Sequence, residues 1–181
     1  MGMSAGSWAV GGGAVVVLVA TGAWALRPVG ADTQLWNQVR PAIEARLVDQ
    51  SRGAGYGESE PGLRARWFCR AQEVDLDERD GLVRAGVNTL CLEYGVRAGS
   101  LVECGGAAVP QVLRLRREAG GGYVVVSQEE PPDGAGNAKW LTSHFGHATT
   151  AAFDDTLPST TLESAARTHF GLPADSPVTE C

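Results

Sequence analysis

The sequence predicts an α+β protein, in which one amphipathic helix packs on a four-stranded antiparallel meander and short helices follow. Residues 8–26 form an uncharged apolar stretch, and residues 34–50 have the apolar spacing of a helix. Further along, apolar residues alternate as in strands, with turn residues between them. The 181 residues are 44% hydrophobic and 20% charged, as in one globular domain with appendages. We assign the domain to residues 34–146 and a C-terminal tail to residues 147–181.

The apolar stretch at residues 8–26 predicts insertion into a membrane. As a helix it would be about 28 Å long at ~1.5 Å per residue, close to the ~30 Å hydrocarbon core of a bilayer. We predict an uncleaved single-pass anchor, with Trp8 and Trp24 at the interfaces and the domain outside the cytoplasm. The alternative is a signal peptide cleaved after Ala25, which would release a secreted protein. Arg27 opposes this orientation under the positive-inside rule, whereas the cysteines favour it.

The predicted covering helix, residues 34–50, follows a linker at residues 27–33. Thr33 is its predicted N-cap, and Pro41 should kink the helix or mark its true start. Residues 51–62 are Gly-rich and polar, which predicts a flexible loop. The apolar residues that share one face of the helix are Leu35, Val39, Ile43 and Leu47.

Four strands and two short helices are predicted after this loop. Asp80 and Gly81, between two apolar runs, predict a hairpin turn. Residues 97–106 are predicted to be a connection, and Pro110 suits the beginning or edge of a strand. The predicted strands are residues 66–76, 82–96, 109–117 and 123–128, and the predicted helices are residues 137–145 and 160–170.

The four cysteines predict two disulfides in an oxidising compartment, with three possible connectivities. A turn centred near Asp80 places residues whose numbers sum to 160 opposite each other, which pairs Cys69 with Cys91. This bond would close a loop of about 22 residues and contribute ~3 kcal/mol. Cys104 and Cys181 would form the second bond; the alternatives are a Cys91–Cys104 bond, or free thiols at Cys104 and Cys181. The cysteine spacings match no paired-ligand pattern for zinc.

The net charge of −6 argues against a nucleic-acid partner, because neutralisation of phosphates supplies most of that affinity. The one dense basic cluster contains Arg114, Arg116 and Arg117. These arginines alternate with leucines, so we predict that they form the solvated face of a strand.

The acidic residues around the predicted hairpin turn resemble part of a calcium loop. Such a loop needs oxygen ligands at its first, third and fifth positions and glycine at the sixth. Asp75 and Asp77 fit, but Arg79 occupies the fifth position. A solvated turn at Asp80 and Gly81 is therefore the prediction.

Three further residue patterns resemble parts of metal or catalytic sites. His144 and His147 have helical spacing, with Asp154 and Asp155 following, but no third metal ligand has a characteristic spacing. Ser143 beside His144 lacks the motif of a nucleophile elbow.

Glu129, Glu130 and Asp133 would suit acid–base chemistry, yet the intervening prolines predict a solvated loop. The sequence thus predicts no catalytic residue, cofactor-binding residue or metal ligand.

The middle half of the chain resembles a group of uncharacterised secreted or membrane-anchored proteins of actinobacteria and bacilli. The resemblance implies a cystatin-like or NTF2-like α+β domain and supports the pairing of Cys69 with Cys91, since the two cysteines of that group also flank a hairpin. Cys104 and the long tail to Cys181 depart from the pattern. The matching pieces are residues 68–69, 88–94, 105–110 and 132–136 and a short helix that ends at Phe145.

The predicted function is a non-enzymatic cell-envelope or secreted protein that binds a protein or a wall component. One alternative is an NTF2-like protein with a small-ligand or catalytic pocket between the helix and the curved sheet. Another is a cystatin-like peptidase inhibitor, which needs an apolar wedge at its hairpin tips. The charged tip at residues 77–81 weakens that last alternative.

Overall fold

The computed structural model describes residues 32–146, 153 and 157–181. The predicted membrane segment, residues 8–26, lies outside them, and no helix among the described residues is long and apolar enough to cross a bilayer. The mixed α+β class is confirmed. The elements are α1 (Thr33–Ser51), β1 (Arg66–Arg79), β2 (Leu82–Arg97), β3 (Ser100–Arg117), β4 (Tyr123–Glu129), α2 (Asn137–Phe145), α3 (Thr160–Phe170) and β5 (Val178–Glu180).

Helix α1 forms where its apolar spacing predicts it. Its N-cap is Asp32 rather than Thr33, because the Asp32 carboxylate accepts the Leu35 amide at 3.0 Å. The helix runs through Pro41, which removes one internal hydrogen bond without ending the helix. Its four predicted core residues are all buried, so packing against the sheet outweighs the effect of the proline.

Strands β1 to β4 form the predicted antiparallel meander, in sequence order. Residues 97–106 are not the predicted connection. A two-residue turn at Ala98 and Gly99, both with positive φ, joins β2 directly to β3. An alanine in the left-handed region gives no turn signal in the sequence, and the pairing of the long strands imposes this conformation.

The hairpin of β1 and β2 contains a bulge that sets its register. Asp80 and Gly81 form the turn, so residues near the turn pair with numbers that sum to 161. Val74 is left unpaired, and beyond it the sum is 160, which places Cys69 directly opposite Cys91. The predicted register is therefore right at the cysteines only because of a bulge that the sequence did not reveal.

Helix α1 covers one face of the sheet. Its apolar residues meet small and branched residues from β1, β2 and β3 in a closely packed core. The strand residues of this core are Ala71, Val83, Ala85, Val87, Cys91, Leu113 and Leu115.

The other face is covered by the C-terminal part of the chain, which the sequence analysis assigned to a tail. Leu162 and Ala166 of α3 pack against Leu92 and Tyr94 of β2. Helix α2 contributes Phe145, and a side chain at the neighbouring position 86 would collide with that ring. Beyond α3, strand β5 pairs in parallel with the beginning of β3. The sheet is thus enclosed by helices on both faces.

Candidate functional site

Both favoured cysteine pairs are bonded in the structure. Cys69 and Cys91 lie on facing strands with their Cα atoms 4.1 Å apart, and Cys91 belongs to the core under α1. Cys104 and Cys181, with Cα atoms 4.8 Å apart, join β3 to the residue after β5. The bonds therefore fasten the first hairpin and the C-terminal strand.

The carboxylates weighed as calcium ligands are occupied by arginines. The Arg84 guanidinium pairs with Asp75 and also donates to the His144 carbonyl oxygen at 2.7 Å. Asp77 pairs with Arg79 at 2.7 Å. These contacts strengthen the hairpin and join it to α2.

Glu129 and His144, which belong to separate sequence patterns, meet in the structure. The His144 Nε2 atom lies 3.5 Å from a Glu129 oxygen, and the imidazole stacks on Trp140. Glu129 also accepts Arg114 at 2.7 Å, and this hydrogen bond is the main reason that the pKa of Glu129 is lowered. The contacts fasten α2 to β4. His147, Asp154 and Asp155 lie outside the described residues.

The Ser143 hydroxyl is not activated as a nucleophile by His144, although the two groups are 3.0 Å apart. The hydroxyl donates to the Trp140 carbonyl oxygen at 2.8 Å, and the imidazole Nδ1 faces the same oxygen at 2.8 Å. Both groups are therefore engaged with the backbone of α2.

The carboxylates of Glu129 and Glu130 serve different contacts and do not form an acid–base pair. Glu129 contacts Arg114 and His144, whereas Glu130 accepts the side-chain amides of Gln50 at 2.6 Å and Gln111 at 3.2 Å. This separation follows from the alternation of side chains at the end of β4.

A buried carboxylate that the sequence analysis missed organises the loop after α1. Glu93 is fully buried and accepts the backbone amides of Gly57 at 2.9 Å and Glu58 at 2.7 Å. A glutamate within the mainly apolar run of residues 90–96 was the available signal. The Glu58 carboxylate in turn accepts the amide of Gly53 at 2.6 Å. The predicted flexible loop is thus fixed to the sheet.

The outer edge of β3 is paired with other strands at both ends but not in between. One side of β3 pairs with β2. On the other side, β5 pairs with residues 101–103 and β4 pairs with residues 112–117. Among the described residues, no strand pairs with the outer side between these two segments. We call residues 105–110 the slot, since β4 and β5 bound it at both ends.

Backbone groups of the slot are available for hydrogen bonding. The Val109 carbonyl oxygen accepts the Thr89 hydroxyl of β2 at 2.6 Å, so residue 109 is directed inward. Alternation then directs the backbone groups of Gly106, Ala108 and Pro110 outward. Proline is tolerated at position 110 because an N–H group there would point away from β2 and would donate to no strand among the described residues.

An open groove of about 510 Å³ lies beside the slot. Its floor includes Leu90 and Leu92, and two carboxylates, Glu103 and Glu180, contribute to its wall. A side chain at position 106 would approach Leu92 to 2.3 Å, so glycine is needed to seat that leucine. The remaining lining residues are Cys104, Gly105, Ala107 and Ala108.

The polar end of this region contains a buried hydroxyl. Tyr94 is fully buried, and among the described residues its hydroxyl forms no hydrogen bond of normal length and angle. Burial is the main cause that raises its pKa, followed by the negative charge of Glu103. The Tyr94 hydroxyl therefore stays neutral beside that carboxylate.

Comparison of the chain with protein-family models, curated proteins and solved structures found no significant match. The fold and the site define an α+β domain that is joined by two disulfides and has an interrupted sheet edge.

Proposed function

We propose that the protein is an extracytoplasmic, membrane-tethered binding protein that accepts an extended segment of another polypeptide at the slot. The observation that carries this proposal is the unpaired outer edge of residues 105–110 between two strands that already pair with β3. An extended segment added there would continue the sheet, and its backbone would satisfy the outward groups of Gly106, Ala108 and Pro110.

The other outer edges of the sheet are less suited to strand addition. In β1, the bulge at Val74 interrupts the edge, and the Ala71 amide donates to the Glu44 carboxylate of α1 at 3.3 Å. In β4, Val126 is unpaired and forms another bulge. Strand β3 also has a bulge, at Cys104, but it lies outside the slot, next to the end of β5. Bulges and covering side chains are common protections of sheet edges. The slot lacks charged side chains, and its residues 106–108 are exposed.

The recessed position of the slot favours a single segment over a second copy of the chain. Strands β4 and β5 occupy the positions on either side of it, next to β3. Two copies would each have to bring a recessed strand into contact with the other, and their flanking strands would meet first. A separate segment of about six residues, which would extend ~20 Å, fits between the ends of β4 and β5.

The proposed location rests on the apolar stretch at residues 8–26 and on the two disulfides, which favour an oxidising compartment. The resemblance to secreted and anchored proteins supports the same proposal.

The location is tested by the intact mass of the native chain without reductant. The expected mass retains residues 1–181 and lacks four hydrogens for the two disulfides. A mass that corresponds to cleavage after Ala25 would support the secreted alternative instead. Alkylation of Cys69 or Cys91 in the unreduced chain would contradict the oxidising compartment.

Strand addition is tested with a fluorescent heptapeptide, Thr-Val-Thr-Thr-Thr-Val-Thr, and the full chain in detergent. Five outward backbone groups at about 1 kcal/mol each predict a Kd on the order of 0.1 mM by fluorescence anisotropy. Ala108→Pro removes one outward N–H and should weaken binding at least fivefold. The matched Ala108→Ser variant keeps that group and should bind like the wild type.

A second ligand avoids any change to the protein. The same peptide with an N-methyl group on every residue has no backbone N–H group to donate to β3, and we expect it not to bind. Equal binding of the unmodified and the N-methylated peptide, or no binding of the unmodified peptide, would overturn the proposed function.

A further inference from the structure

We infer that the slot selects an extended segment that carries a basic side chain, which would lie in the groove between Glu103 and Glu180. This inference rests on the proposed function and specifies the partner of that site. It follows from the positions of the two carboxylates, from the absence of a basic partner for them and from the buried hydroxyl next to Glu103.

Glu103 and Glu180 are direct neighbours on adjacent strands. Residue 103 of β3 pairs with residue 180 of β5, and both residues line the groove. Cβ atoms of such neighbours are about 5 Å apart, and like charges in these positions destabilise a sheet. Among the described residues, neither carboxylate forms an ion pair.

Arg167 of α3 could serve as a counterion for the two carboxylates, but it already binds other groups. Arg167 contributes to the electrostatic environment of Tyr94, but its guanidinium donates to Glu163 at 3.3 Å and to the Ser176 carbonyl oxygen at 3.0 Å. It therefore leaves the groove negative. The unpartnered hydroxyl of Tyr94 beside Glu103 adds a polar group at the same end.

The position of the carboxylates matches the path of an added segment. Strand β5 ends beside Glu103, and the slot begins two residues further along β3. A segment in the slot would point alternate side chains into the groove, over Leu90 and Leu92. An arginine or lysine near its end reaches both carboxylates while its aliphatic part covers apolar surface.

The test compares three heptapeptides of the form X-Val-Thr-Thr-Thr-Val-X, in which both end residues X are Thr, Arg or Glu, so that one of them lies at the Glu103 end of the slot in either strand direction. With the wild type we expect the Arg peptide to bind five- to tenfold more tightly than the Thr peptide, and the Glu peptide to bind more weakly. The preference should decline between 50 and 500 mM salt, because the interaction is partly exposed to solvent.

Two substitutions locate the preference. Glu103→Gln and Glu180→Gln should each reduce the ratio of Arg-peptide to Thr-peptide affinity, and the double variant should bring it to about one. Affinity for the Thr peptide should remain within twofold, since the backbone contacts are unchanged. Glu118→Gln, in the distant β3–β4 turn, alters the net charge equally and should leave the ratio unchanged.

Failure of this inference is distinguishable from failure of the proposed function. Equal binding of the Arg, Thr and Glu peptides, or a preference that survives the double variant, overturns the basic-residue inference and leaves strand addition in place. Absence of binding by all three peptides overturns both. A dimer in light scattering that excludes the peptides would show that a second copy occupies the edge, and this would also overturn both.

Discussion

Replacing Cys104 and Cys181 together by alanine removes the bond that closes the longer of the two disulfide loops. The two residues are 77 positions apart, whereas Cys69 and Cys91 are 22 apart. On the chain-entropy account, the longer bond restricts the unfolded chain by about 4.5 kcal/mol and the shorter one by about 3.4 kcal/mol. We therefore expect the peripheral bond to stabilise the protein more than the bond beside the core.

The assay is equilibrium unfolding in guanidinium chloride without reductant, for the wild type and for each pair of alanine substitutions. Loss of the Cys104–Cys181 bond should lower the free energy of unfolding by about 4.5 kcal/mol and raise the m-value, because the unfolded chain becomes less compact. Replacing Cys69 and Cys91 is the matched control, with a loss of about 3.4 kcal/mol plus the packing lost at Cys91. A loss below about 0.5 kcal/mol for the first pair, the size of an ordinary surface change, would refute the reasoning.

Three further predictions concern buried and paired groups. Tyr94→Phe should raise the free energy of unfolding by about 1 kcal/mol at pH 7, because it removes a buried hydroxyl without a partner; a loss would reveal a hydrogen bond to Glu103. The wild type should also lose stability above pH 10, the ordinary pKa of tyrosine. The pKa of Tyr94 is raised in the folded state, so the unfolded state ionises first, and the Phe variant should lack this loss. Glu93→Gln should cost about 1–3 kcal/mol in chemical unfolding, because one amide oxygen replaces two acceptors; unchanged stability and unchanged amide exchange at residues 57 and 58 would contradict that role. The lowered pKa of Glu129 predicts that its ion pair contributes less than about 1 kcal/mol to the free energy of unfolding. This contribution is present above pH 4.5 and is lost as the pH falls through the pKa of Glu129 in the folded state. The difference between wild type and Arg114→Gln should accordingly vanish at acid pH, and a constant difference from pH 7 to pH 2 would argue against the ion pair.

The sequence predicted those elements whose geometry depends only on residues that are close together in the chain. The apolar spacing of α1 and the Asp80–Gly81 turn needed no tertiary information, and helices α2 and α3 have the predicted bounds. The N-cap was misplaced by one residue, since Asp32 and Thr33 are both competent caps and only the Leu35 contact distinguishes them.

Features that depend on distant contacts were not predictable in the same way. The Ala98–Gly99 turn and the bulge at Val74 result from pairing between long strands, and strand β5 forms only because a distant part of the chain reaches β3. The slot is a property of where β4 and β5 end relative to β3, and no residue pattern within β3 indicates it. Pro110 indicated an edge, but it could not show that the edge was bounded on both sides.

Strand β5 already provides an internal example of a chain added beside β3. Its residues are exposed, and besides backbone pairing it is retained by the bond from Cys181 to Cys104. A dithiol reductant would be expected to open this accessible bond before the one that involves the buried Cys91, which mass spectrometry of alkylated protein can check. Release of the C-terminus would extend the unpaired edge of β3 back to residue 101, so that the oxidation state of this bond would set the length of segment that the proposed site accepts.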